Sequence, residues 1–231
     1  MNIGIIGSGF IGGTLTRRLS TAGHKVFVAN SRGPASLAKL VAETGATAVT
    51  AREAARSGGV VIVAIQEGKV PDLPKDLFDG VASEVVVVDT GNYYPRQRDG
   101  KIAAIENGMT ESSWVESQLG RPVLKAFNNI YWQHLLESGK PAGTRGRIAL
   151  PVAGESAAAK AVVVRLFDEL GFDGVDAGSL DESWRQQPAT PVYGTDLDAD
   201  GVRRALAGAT PERKSEWYAT GNSPGTLDNP A

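Results

Sequence analysis

The stretch GSGFIG places Gly7, Gly9 and Gly12 in the spacing G-x-G-x-x-G. Such spacing suits a turn that must receive phosphate. The first glycine permits a tight turn, the second lets the backbone approach a pyrophosphate, and the third lets a helix pack closely on a strand. A helix that starts here aims unpaired amides and the positive end of its dipole at an anion. Ser8 adds a hydroxyl, and Phe10 and Ile11 complete the loop. The chain has 28 glycines, so the spacing alone is weak. Context strengthens it, because the loop follows an apolar strand, opens a helix and lies in a strand–helix–strand unit. The alternative is a tight turn that holds nothing.

A second constellation stands at the end of the next strand, in VFVANSRGP (26–34). An acidic residue there would hold the ribose hydroxyls of NAD and repel a 2′-phosphate. Here the strand ends in Asn30, Ser31 and Arg32. A guanidinium fork donates two parallel hydrogen bonds to phosphate, and a serine hydroxyl can donate a third. These residues favour NADP(H) over NAD(H). The alternative for Arg32 is a solvated surface cation.

Loops after the later strands should line the other half of the cofactor. They contribute Ala64, Ile65 and Gln66, then Thr90, Gly91 and Asn92, then Ala126, Phe127, Asn128 and Asn129. The amides could orient a carboxamide without adding charge, or they could satisfy loop backbone.

Acid–base machinery is sparse. His24 falls in a turn far from the reacting end, and His134 lies on a short helix where a structural role is preferred. No Tyr-x-x-x-Lys, no Ser–His–Asp arrangement and no His/Asp metal cluster is present, so no catalytic or metal residue is assigned. Asp89 reads as structural. Lys125 could be catalytic, an anion anchor or an ion-pair partner. Hydride transfer between two redox cofactors needs chiefly close stacking and exclusion of water, and this sequence is compatible with that.

The elements that must position these residues alternate. Apolar strands are expected at 2–6, 25–29, 46–49, 60–65, 84–90, 122–127, 147–154 and 173–178. Helices are expected at 14–23, 34–45, 51–58, around 68–78, 110–120, within 128–139 and at 156–171. Continuous Val/Ile runs mark parallel strands buried on both faces. The fold class is therefore α/β, a Rossmann-like doubly wound, mainly parallel sheet with extra C-terminal strands and a helix. Residues 1–127 are expected to form the nucleotide-binding core. Residues 128–231 form an extension packed with it as one compact unit, and 219–231 end as an extended tail.

Composition narrows the partners. Net charge is −2, from 24 basic and 26 acidic residues, which gives no pull towards nucleic acid or anionic membrane. The absence of cysteine removes thiolate chemistry, disulfides and cysteine-ligated metal. Apolar runs are strand-length, too short to span a bilayer. The expectation is a soluble, cytoplasmic protein whose partner is a small-molecule redox acceptor.

With these residues in view, the chain resembles the coenzyme F420-dependent NADP oxidoreductases, and more distantly the nucleotide-binding domain of the STEAP metalloreductases. The resemblance rests on the glycine loop, on GHKVFVANSR (23–32) and on LPVAGESAAAKAVVVRLFDELGFDGVDAGSL (150–180). It implies Ser31 and Arg32 at a 2′-phosphate, the nicotinamide and a deazaflavin near 126–130, and a homodimer. Two departures stand out. Gly33, Pro34, Ala35 and Ser36 follow the arginine where the family carries a further basic residue. ESWRQQPATPVYGTDLD (182–198) and a polar tail replace a closing apolar helix. Trp184, Arg185, Gln186 and Tyr193 could build a different acceptor pocket or a subunit contact. The acceptor is then coenzyme F420 or a flavin. The alternatives are an NADPH-dependent reductase of a small organic substrate, or a non-catalytic NADPH-binding sensor.

Overall fold

The computed structural model describes residues Met1–Ala231. Its frame is one sheet of eight strands. In chain order they are β1 (Asn2–Ile6), β2 (Lys25–Ala29), β3 (Thr47–Ala48), β4 (Val60–Val63), β5 (Val86–Asp89), β6 (Leu124–Ala126), β7 (Ala149–Ala153) and β8 (Asp173–Asp176). Their spatial order is β3-β2-β1-β4-β5-β6-β7-β8. The first six are parallel, β7 runs antiparallel to β6, and β8 is parallel to β7. The order reverses at β1, so a crevice opens above the carboxyl ends of β1 and β4. In open α/β sheets this is where ligands bind.

The helices are α1 (Phe10–Thr21), α2 (Ala38–Thr44), α3 (Ala51–Arg56), α4 (Ala103–Glu106), α5 (Glu111–Leu119), α6 (Trp132–Glu137), α7 (Ala157–Glu169) and α8 (Ala199–Ala207). Successive strand residues point to opposite faces, and both faces are covered. Ile3, Ile5, Val60 and Ile62 join Leu15 and Leu19 of α1 and Phe167 of α7 in one cluster. Val61, Val63 and Val87 join Ala54 and Ala55 of α3 in the other. The unbroken Val/Ile runs follow from this two-sided burial.

Helices α4 and α8 have no counterpart among the expected elements, and three expected elements take another form. The helix expected around 68–78 is a 3-10 turn, Glu67–Asp72, followed by looser turns. Pro71 and Pro74 lack the amides that an α-helix would need there. The helix expected over 34–45 divides into a 3-10 turn at Pro34–Leu37 and α2, which ends on left-handed Gly45. The tail expected to be extended folds back instead. Gly225 and Ala231 donate their amides to the Arg96 carbonyl, at 2.7 and 3.1 Å. No helix is long and apolar enough to cross a membrane.

Candidate functional site

The parallel strands bring the predicted loops to one end of the sheet. Gly7 takes φ +114°, and a Cβ there would collide with the Ala64 carbonyl. A Cβ on Gly12 would collide with the Gly7 carbonyl oxygen. Both positions therefore require glycine on steric grounds. Gly9 differs. It caps α1 without a side-chain bond, and a Cβ on it would meet no protein atom within 4 Å. The surface of Gly9 is a cradle at the N-terminus of a twelve-residue helix with no acidic residue in its first turn. A pyrophosphate fits that arrangement through backbone amides and the helix dipole.

Asn30, Ser31 and Arg32 reach this edge in different states. The Asn30 amide is committed within the protein. Its Nδ2 donates to Ser8 Oγ at 3.2 Å and Ser36 Oγ at 2.9 Å, and its Oδ1 accepts from the Arg32 amide at 3.0 Å. Asn30 therefore shapes the loop and ties it to the glycine turn. Ser31 and Arg32 are exposed. The Arg32 guanidinium has neither an ion pair nor a hydrogen bond in the protein. A free guanidinium fork beside the cradle fits a 2′-phosphate.

Ala64 and Ile65 are half-buried below the glycine turn, and Gln66 is exposed. Thr90 is buried, with both its amide and its hydroxyl on the Val63 carbonyl. Ala126 and Phe127 are wholly buried, and the Phe127 ring packs edge-on against Phe167 at 4.8 Å. Their side chains belong to the core, so only their backbone can meet a ligand. Phe127 is held at φ 62°, a left-handed conformation that a bulky residue seldom adopts. It turns the chain sharply from β6 into the asparagine pair.

The amides form a ladder. Asn92 Nδ2 donates to the Asn128 carbonyl at 3.0 Å, and Asn128 Nδ2 donates to Asn92 Oδ1 at 3.0 Å and the Gln186 carbonyl at 2.7 Å. Gln186 Nε2 returns a bond to Asn128 Oδ1 at 2.9 Å. The ladder joins the loops after β5 and β6 to the segment Leu180–Gln186. Of the predicted amides, Asn129 alone is both buried and uncommitted. It is 1% exposed, and neither side-chain atom has a partner.

Aromatic side chains stand beside the glycine turn. Phe10, 73% exposed, stacks on Trp132 with centroids 5.3 Å apart and planes 12° apart. The stack bridges the N-termini of α1 and α6. Tyr131 beside it is 56% exposed.

Beneath the loops lies a charge cluster that local sequence does not reveal. Lys125 Nζ, fully buried, donates to Glu111 Oε2 at 3.1 Å and the Gly91 carbonyl at 3.0 Å, with Asp89 Oδ2 at 3.8 Å. Asp89 accepts from Ser112 Oγ at 2.6 Å and the Gly91 amide at 2.8 Å. Arg213 reaches the other Glu111 oxygen at 3.4 Å. Of the three readings of Lys125, the ion pair is the one observed. Burial pushes its ammonium pKa down, but Glu111, Asp89 and Glu67 outweigh that and raise it. His24 and His134 pair with Glu169 and Asp196, away from this cluster.

Glu67 is also fully buried, and both carboxyl oxygens lack partners. Burial first, then Asp89, raises its pKa well above the usual carboxyl range, against the pull of Lys125. The folded protein therefore holds a proton that the unfolded chain releases. Stability should be complete below the ordinary carboxyl value and fall as pH rises towards the pKa of buried Glu67. Glu67→Gln is expected to flatten that fall in urea unfolding followed from about pH 5 to about pH 9. An unchanged slope in the variant would show that Glu67 is not the group.

Comparison with known proteins adds a family. The family described as NADP oxidoreductase coenzyme F420-dependent matches residues 2–93. The Escherichia coli (strain K12) protein YjhV is 45% identical over 86 residues, covering 37% of this chain and 56% of YjhV. The chain thus aligns with little more than half of that curated relative. Among solved structures, the hypothetical protein SMa0349 from Sinorhizobium meliloti is 30% identical. The match covers 85% of this chain and 95% of that one, with a TM-score of 0.72. A protein assigned as an F420-dependent NADP reductase, from Arthrobacter sp. FB24, is 22% identical with a TM-score of 0.63. That match covers 78% of this chain and 85% of the other, and it speaks for the fold.

Proposed function

The chain belongs to the family of coenzyme F420-dependent NADP oxidoreductases, and from that premise we propose that it transfers hydride between NADP(H) and a flavin-type acceptor, coenzyme F420 foremost. The observation that carries the cofactor half is the open cradle at Gly9 beside the unpartnered Arg32 guanidinium. In this reading Gly7, Ser8, Gly9 and the first turn of α1 hold the pyrophosphate, and Ser31 and Arg32 hold the 2′-phosphate. The bound nucleotide supplies the hydride. Asn129 offers its uncommitted amide to a carboxamide. The ladder of Asn92, Asn128 and Gln186 keeps the loops after β5 and β6 in register.

The acceptor half rests on the aromatic side chains beside the glycine turn. Phe10, Tyr131 and Trp132 present flat apolar surface there. A planar, conjugated ring can stack there, and stacking also excludes water. Residues 1–127 then serve as the nucleotide half and 128–231 complete the acceptor half. A cytoplasmic homodimer goes with this reading.

The test is anaerobic oxidation of NADPH by the purified protein with F420, FMN or FAD. Turnover with F420 alone supports the proposal in full. Turnover with FMN or FAD alone reassigns the acceptor to a flavin. Tight NADPH binding without turnover would overturn the redox reading in favour of a sensor or a reductase of an organic substrate.

A further inference from the structure

The sequence reading assigns no catalytic residue, yet the fold brings two distant tyrosines together. Tyr94 follows the loop after β5, and Tyr193 lies in the C-terminal extension, 99 residues later. Their hydroxyls are in hydrogen-bond contact. Both are tied through the backbone to the loops of the candidate site. The Gly194 amide donates to the Asn129 carbonyl at 2.8 Å, which ties Tyr193 to the loop after β6. The Tyr94 amide donates to Asp99 Oδ2 at 2.7 Å, and Tyr94 lies two residues past the Asn92–Asn128 ladder.

Two hydroxyls in contact carry two hydrogens, and only one is used between them. Neither phenol has another hydrogen-bond partner in the protein, so one donor is free. The Arg98 guanidinium sits 5.1 Å over the Tyr94 ring, and the Trp217 ring packs against the same tyrosine at 5.6 Å. Arg98 is itself paired with Asp99 at 3.0 Å, but at the Tyr94 phenol its positive charge still favours negative charge. The free hydrogen therefore belongs on Tyr193, with Tyr94 behind it. Asn129, whose carbonyl the Gly194 amide bonds, has a buried side-chain amide with no partner, which suits it to a polar ligand group.

We propose that the Tyr94–Tyr193 pair is the proton donor of the acceptor site. The inference rests on the hydride-transfer reading above and deepens it. NADPH gives up a hydride and leaves as NADP⁺. A ring carbon or ring nitrogen of the acceptor forms a new bond to that hydride, and the electron pair of the broken double bond moves to a conjugated nitrogen or oxygen. The O–H bond of Tyr193 breaks, and the proton joins that atom. Tyr193 regains a hydrogen from Tyr94, and the Tyr94 phenolate, beside Arg98, takes a proton from water. The sum is NADPH, acceptor and one proton going to NADP⁺ and the two-electron-reduced acceptor. Burial raises the pKa of both phenols above the ordinary tyrosine value, so both hold their protons at neutral pH. The acceptor class this selects is a conjugated ring or carbonyl compound that becomes anionic on receiving hydride.

The experiment compares wild type with Tyr193→Phe and Tyr94→Phe, using NADPH with F420 and with FMN. Phenylalanine keeps the rings and their packing. Tyr193→Phe is expected to lower kcat about 100-fold, as loss of a general acid does, and Tyr94→Phe about tenfold, because Tyr193 keeps its own hydrogen. The NADPH dissociation constant and the melting temperature should not move. Wild type should show a D₂O effect on kcat that Tyr193→Phe loses. If Tyr193→Phe stays within about twofold of wild type with the same D₂O effect, the donor role is overturned while hydride transfer stands. If wild type binds NADPH but turns over neither acceptor, the functional reading falls, and the donor role with it.

Discussion

Lys125→Met is expected to destabilise the fold by about 3–5 kcal/mol, the range for removing one partner of a buried ion pair. The reason lies in what stays behind. Lys125 is fully buried and is the cation nearest to Glu111, Asp89 and Glu67. Methionine fills most of the volume but leaves Glu111 and Asp89 facing each other across an apolar gap. Arg213 touches only the far oxygen of Glu111 and cannot replace a point charge among them. Part of the loss should return at acid pH, where Glu111, whose pKa burial already raises, can take up a proton. Lys125 also holds the Gly91 carbonyl at 3.0 Å, so the variant should bind NADPH less well at temperatures where it is still folded. Urea unfolding at neutral and acid pH measures the first effect. A loss below about 1 kcal/mol, the scale of an exposed pair, would mean that water reaches the cluster or that Arg213 swings in.

The same cluster shows where sequence reading stops. The strands of the core were legible because burial on both faces leaves continuous runs such as VVIV at β4 and VVVD at β5. The glycine loop was legible because two of its positions forbid a side chain outright. The direction of β7 was not, since an apolar strand reads alike either way. Glu67 and Glu111 sit in QEG and MTESSW, stretches that look solvated, and nothing local marks their burial. Only the position of Lys125 inside an apolar strand hinted that counter-charges must gather around it.

Site residues divide in the same manner. Sequence placed Ser31 and Arg32 at the strand end, and the structure leaves both exposed there. It grouped Asn30 with them, but the Asn30 amide is spent on Ser8 and Ser36, a choice set by loop geometry. The Tyr94–Tyr193 pair lay outside local patterns altogether, because its members are 99 residues apart. The segment 182–198 could be read as an acceptor wall or a subunit contact. Its Gln186 joins the ladder on Asn128, and its Tyr193 joins Tyr94, which ties the extension to the loops after β5 and β6.

Arg32→Ala is expected to weaken NADPH binding by about 10- to 100-fold, with little change for NADH. A charge-assisted hydrogen bond contributes about 1.5–3 kcal/mol, which sets that range. The variant is unusually easy to interpret. The Arg32 guanidinium has no partner in the protein and is exposed, so its removal should leave stability unchanged. The loop should also persist, because the Asn30 side chain bonds the Arg32 backbone amide at 3.0 Å rather than its guanidinium. Any selective loss then reports on the 2′-phosphate. Because the guanidinium is exposed, salt should weaken wild-type NADPH binding more than that of the variant. With Gly33, Pro34, Ala35 and Ser36 following, no second cation stands next in the loop to compensate, so discrimination between the two nucleotides should rest on Arg32 with help from the Ser31 hydroxyl. Titration of both variants of the cofactor, NADPH and NADH, against wild type and Arg32→Ala measures it. Equal losses for the two would take the phosphate away from Arg32 and leave its guanidinium a solvated cation at the edge of the sheet.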